Sequence, residues 1–179
     1  MVNDASVPDY ETLVDRSFVY NSEYLESQEW RASPFEWLLG VPSATQGKIA
    51  RQLVQDWALS FGMDSYQITD HYQRYVVVNE ARIQVKMSTL WASGEYKFQQ
   101  IRDQEFDFLL CLGVSPNDVH AWLIPKEELA THVIGISGQH TGAAARETSW
   151  LKVIPGRAAL WLRDYGDQLA DVRSLLQEI

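Results

Sequence analysis

Tyr75-Val76-Val77-Val78-Asn79-Glu80-Ala81-Arg82-Ile83-Gln84-Val85-Lys86-Met87 holds two short β-branched runs separated by Asn79-Glu80. Runs of this length and composition read as strands, and a two-residue joint between them reads as a hairpin. Side chains alternate across a strand, so Ile83, Val85 and Met87 point one way while Arg82, Gln84 and Lys86 point the other. One strand thus offers a greasy face to a core and a polar face to chemistry.

Working upstream, Thr45 to Phe61 repeats Ile49, Leu53, Val54, Trp57, Ala58 and Phe61 at steps of three and four, and Gly62 supplies a stop, which predicts a helix. Pro34 and Pro42 bracket Phe35-Glu36-Trp37-Leu38-Leu39-Gly40, a short turn or helix whose aromatics are expected to plug the core. Glu11 to Glu29 fits a helix with acids between its apolar positions. Downstream, Tyr96 to Arg102 is expected to start a helix, and Phe106–Leu112 and His120–Ile124 are two apolar strands. Lys126 to Ala130 reads as a short helix, 135–148 as a Gly- and Ala-rich loop, Trp150 to Ile154 as extended, and Leu160 to Leu176 as one or two closing helices. That order predicts an α/β protein with a mixed central sheet flanked by helices. Trp57, Trp122 and Trp161 are expected in the core, and Trp91 with them.

A chain of 179 residues suits a single domain, 1–179, with one core. No apolar run approaches the roughly 18 residues of a membrane span, and the start lacks the order of a secretory signal, so a cytoplasmic address is expected. Cys111 has no partner for a disulfide and lies in Phe108-Leu109-Leu110-Cys111-Leu112, which reads as a buried thiol. The net charge of −9 argues against nucleic acid, because proteins that neutralise phosphates present a basic face. The charge is unevenly spread, however. Residues 1–36 form an acidic, partly helical arm with eight acids and two bases, a local −6, whereas Arg82, Lys86, Lys97 and Arg102 face only Glu95 and Asp103. A basic cleft on an acidic body is compatible with that distribution.

Two residues apart on one strand, Gln84 and Lys86 share a face, and an amide oxygen and an ammonium there suit one phosphate; the same alternation also suits a plain solvated face. A hydrolase of phosphodiesters using Mg²⁺ needs hard oxygen ligands and a cation near the scissile group. Asp70, ahead of the hairpin, is the acid available to join Gln84, with Asp64 as the fallback; a polar turn is the other reading of Asp70. The segment Gly138-Gln139-His140-Thr141-Gly142, followed by Arg146, reads either as a surface loop or as a base-reading element, since Gln and Arg pair bidentately with adenine and guanine edges.

The string Arg82-Ile83-Gln84-Val85-Lys86-Met87-Ser88-Thr89-Leu90-Trp91, followed by Phe98-Gln99-Gln100-Ile101-Arg102-Asp103, resembles restriction endonucleases of the PD-(D/E)xK superfamily. Cys111 to Pro116, Trp122 to Lys126 and Gly47-Lys48-Ile49-Ala50 continue the resemblance, which spans roughly Val41 to Trp161. Gln84 stands where that family usually has Asp or Glu, and Gln52 stands near where relatives carry a helical Glu. The resemblance implies a restriction endonuclease-like fold and a Mg²⁺-dependent endonuclease that cuts double-stranded DNA as a homodimer. It makes Asp70 and Gln84 the metal ligands, Lys86 the residue that orients water and offsets charge, Gln52 an assisting group and Gln100 a backbone contact. Gln139, His140 and Arg146 would read bases. The competing class is a catalytically silent nucleic-acid-binding or interaction protein on the same fold, favoured by the acidic balance and the loss of the acid at Gln84.

Overall fold

A computed structural model of the protein describes residues 7–23, 29–136, 138 and 148–179. Helix α1 (Val7–Glu23) is followed by a 3₁₀ turn (Glu36–Gly40) and helix α2 (Ser43–Ser60). Strands β1 (Ser65–Asp70), β2 (Gln73–Val78) and β3 (Ala81–Thr89) form an antiparallel meander. Then come β4 (Tyr96–Ile101), β5 (Phe108–Val114), β6 (Val119–Pro125) and helix α3 (Lys126–His132). Strand β7 (Ser149–Val153), a second 3₁₀ turn (Leu160–Tyr165), β8 (Gly166–Gln168) and α4 (Leu169–Glu178) complete the chain.

The large sheet runs β1-β2-β3-β5-β6-β8, mixed because β3 and β5 are parallel while its other neighbours are antiparallel. A mixed α/β architecture is therefore borne out, with one difference in how it is covered. On one face, α2 buries the small stripe Ala50, Val54 and Ala58, and α4 buries Val172 and Leu176, against Val76, Val78, Ile83, Val85, Leu110 and Leu123. On the other face lies a second, two-stranded sheet of β4 and β7 together with α3, packing Tyr96, Phe98, Ile101, Leu129 and Leu151 on Leu109, Cys111, Trp122 and Ile124. Two apolar layers, one on each face of the large sheet, make up the buried interior.

Both hairpins of the meander turn on pairs of residues with positive φ: His71 and Tyr72 (45° and 65°), then Asn79 and Glu80 (46° and 74°). Positive φ at both central residues is the backbone of the two-residue turns whose twist suits flanking strands. The Asn79 amide also donates to the Leu176 carbonyl at 3.1 Å, tying this turn to the last turn of α4.

Several sequence expectations change. Tyr96–Arg102 is not a helix but strand β4, paired with β7. Its register shifts between Phe98 and Ile101, where Gln100 takes φ 56°, so the buried positions fall at 96, 98 and 101 and imitate helical spacing. Trp91 is not core: it is 43% exposed, and the Lys97 ammonium lies 3.5 Å from its ring centroid. Trp37, Leu39, Leu53 and Phe61 are exposed as well, while Leu38 alone from the 36–40 turn is buried. Trp122 and Cys111 are fully buried, as expected.

Candidate phosphate site at the strand fork

The ladder between β2 and β3 covers only Val76↔Ile83, Val77↔Arg82 and Val78↔Ala81. Beyond it, Gln73 to Tyr75 stay paired with β1, while Gln84 onward stays paired with β5. The two strands part at Gln84.

Gln84 is almost wholly buried, and its amide nitrogen donates a short hydrogen bond to the Gln104 side-chain oxygen. Its own Oε1 is shut away from solvent with no hydrogen-bond partner. An unsatisfied buried carbonyl costs about 1–3 kcal/mol, so a residue kept in that state is a candidate to receive a ligand. Two residues on, Lys86 stands opposite Cys111 in the parallel ladder. Burial pulls its ammonium down to about 8 from the usual 10.5; Cys111 opposes that shift, and the charges of Arg102 and Arg51 add smaller downward pulls. Burial likewise pushes the Cys111 thiol far above its ordinary range, which leaves it an inert neighbour.

Asp70 ends β1 on the same sheet face as Gln84, since Ile68, two residues before it, pairs with Tyr75 and packs on that side. Its carboxylate is engaged: Oδ1 lies 2.9 Å from His71 Nδ1 and Oδ2 accepts from Arg82 Nη1 at 3.0 Å. The same Arg82 nitrogen donates to the Glu105 carbonyl at 3.0 Å, and the Arg82 backbone amide donates to Asp107 Oδ2 at 2.7 Å. Arg82 and the 103–107 segment therefore stand between Asp70 and Gln84. Lys126 holds this segment from below, donating to the Gln104 carbonyl at 2.6 Å and pairing with Asp103 at 3.1 Å. Asp64, at the opposite end of β1, belongs to the other hairpin turn, with its backbone bonded to Asn79.

Gln52 does not join this group directly. It is exposed on α2 and lines a neighbouring cavity with Arg51. Gln100 sits at the bulge of β4, exposed, two residues before Arg102. Gln139, His140 and Arg146 lie outside the described residues. Sequence reading gave Arg51 and Gln104 no role and counted Arg82 and Arg102 only as part of a locally basic stretch, although Arg51 carries a visible signal: Lys48, Arg51, Gln52 and Gln55 recur at steps of three and four along one side of α2.

Among the described residues, no three His, Cys, Asp or Glu side chains gather to hold a metal. That does not disqualify Mg²⁺, which is usually held by one or two protein oxygens together with substrate phosphates and water. The orphaned Gln84 oxygen fits such a role. The Asp70 carboxylate fits too, because its ion pair with Arg82 is about one third exposed on both sides and so is worth only about 0–1 kcal/mol.

Compared with known proteins, the chain matches no family model and no curated protein. Among solved structures it is similar to a bacterial homing endonuclease, I-Ssp6803I, at 17% identity and a TM-score of 0.47, covering 76% of this chain and 93% of that one. At that level the likeness transfers no residue roles. No helix among the described residues is long and apolar enough to cross a membrane.

Proposed function

We propose that the chain is a DNA endonuclease of the PD-(D/E)xK restriction type, with the scissile phosphate seated in the fork between β2 and β3. The observation that carries this reading is the pairing, on one strand face, of a buried amide oxygen without a partner and a part-buried ammonium that has no carboxylate partner among the described residues. Lys86 places its charge where negative charge builds on the phosphate oxygens as water attacks, and it does so in a partly dry site where such an interaction is strengthened. Gln104 holds the Gln84 amide by its nitrogen, which leaves Oε1 as the atom with capacity for a ligand. Gln84 and an Asp70 released from Arg82 would hold Mg²⁺, which supplies electrophilic stabilisation of the phosphate and a more acidic bound water. One such site cuts one strand, so a double-strand cut on duplex DNA calls for two copies of the chain. Gln139, His140 and Arg146 would contact bases, and Gln100 the backbone.

Plasmid cleavage in Mg²⁺ tests the reading. Lys86→Ala lowers the rate at least about a hundredfold, the scale set by removing one preorganised transition-state donor, with an intact fold by circular dichroism. Gln84→Glu keeps or raises the rate. A Lys86→Ala protein that cuts like the wild type removes this residue from the chemistry. A second reading, a silent nucleic-acid-binding protein, is favoured by the Asp70 carboxylate being tied to Arg82; wild-type protein that binds duplex DNA and never nicks it would establish that reading instead.

A further inference from the structure

A second cluster of cations lies beside the fork, on the helical side of the sheet. A cavity of about 270 Å³ opens between α2 and the β1–β2 pair, walled by Lys48, Arg51 and Gln52 from the helix and by Gln67, Thr69 and Arg74 from the strands. The strand wall follows from register: Thr69 and Arg74 are cross-strand partners, and Gln67 precedes Thr69 by two, so all three share a face. The wall is fixed in part by Gln67 Nε2 donating to Gln55 Oε1 at 2.9 Å.

The cavity is lined by three cations, two amides, a hydroxyl and Ile68, and by no carboxylate. Among the described residues, Lys48, Arg51 and Arg74 make no ion pair. Arg51 Nε is closed off from solvent and has no acceptor. Holding like charges together while stranding a buried donor costs stability. An anion entering the cavity removes both costs. Guanidinium groups favour a phosphate over a simple point anion, because their donors match its oxygens in pairs. Burial and the nearby Arg74 depress the Arg51 guanidinium, and Arg51 in turn is one of the charges felt at Lys86, so cavity and fork share one positive tract.

We propose that this cavity is a second phosphate subsite, which takes a backbone phosphate of the strand that is cut at the fork. The inference rests on the endonuclease reading for the identity of the strand, and its test avoids cleavage altogether. Full-length protein is titrated with duplex DNA in EDTA over a range of salt. Each phosphate contact contributes about 0.9 to the slope of log K against log salt. Arg51→Gln and Arg74→Gln each flatten that slope by about one contact and weaken low-salt binding, while the melting temperature without DNA stays level or rises as repulsion is relieved. Unchanged slopes in both variants, or no DNA binding by the wild type, overturn the subsite. So does weaker binding that merely tracks a lowered melting temperature. Inorganic phosphate separates the sources: if it raises the melting temperature of the wild type and not of the variants, yet DNA slopes do not move, the cavity takes free phosphate and the strand assignment falls. If the slopes flatten while Lys86→Ala cuts normally, the subsite stands and the catalytic assignment fails.

Discussion

At the scale of single residues, Lys86 is the most informative side chain. Its ammonium falls to about 8, from 10.5, because burial disfavours the charged form and Arg102 and Arg51 add repulsion. The folded chain therefore releases this proton more readily than the unfolded chain. Below about pH 8 both states hold it and the cost of burying the charge is fully present; between about 8 and 10.5 the unfolded state holds more protons, so stability rises with pH through that window. Lys86→Met should accordingly melt higher than the wild type at pH 7, and the advantage should shrink as pH is raised toward 10. An equal advantage at both pH values would mean that the change acts through packing and not through charge. The pairing of Gln84 with Lys86 on one face was legible from strand alternation alone. The engagement of Asp70 by Arg82 was not, since nothing in the spacing of residues twelve apart says which of two hairpin arms will bend over the other.

At the scale of elements, reading succeeded where one period was clean and failed where a local irregularity broke it. Helix α2, predicted over 45–61, occupies 43–60, because Gly62 with φ 77° stops it and the stripe Ala50, Val54, Ala58 is regular. Strand β4 was hidden by its bulge, and β1 by its turn, since His71-Tyr72 lacks the Asn or Gly that usually announces paired positive φ. The contact between the two sheets is similarly silent in sequence and tight in space. A Cβ built at Gly113 of β5 would lie 2.6 Å from the Tyr96 ring of β4, and that ring is held by its hydroxyl on His120 Nδ1 at 3.0 Å. Gly113→Ala should thus cost about 1–3 kcal/mol of stability, the usual range for overpacking a filled core, read as a lower urea midpoint. A midpoint equal to the wild type would mean that the two sheets slide apart freely.

At the scale of the whole molecule, the acidic arm divides into two parts. Trp30 is 5% exposed and packs into the helix-side layer, and the Ser33 hydroxyl donates to the Pro116 carbonyl at 2.6 Å. On α1, by contrast, Tyr10, Leu13 and Phe18 are about two thirds or more exposed. Trp30→Ala should cost about 3–5 kcal/mol, whereas deleting residues 7–23 should cost far less in a thermal melt. A deletion as damaging as Trp30→Ala would place α1 against the body.

The two-sheet layout also dictates an order of assembly. Strand β4 leaves the ribosome ahead of β5, β6 and α3, but β7, which it pairs with, follows all of them. The large sheet can close from β1 to β6 while Tyr96, Phe98 and Ile101 still lack their cross-strand neighbours. A nascent chain at that stage carries an unpaired apolar edge, the kind of surface that chaperones hold and that neighbouring chains capture. The small sheet is then completed only after β1 to β6 have emerged, and β8 and α4 follow it to close the edge and the helix-side face of the large sheet.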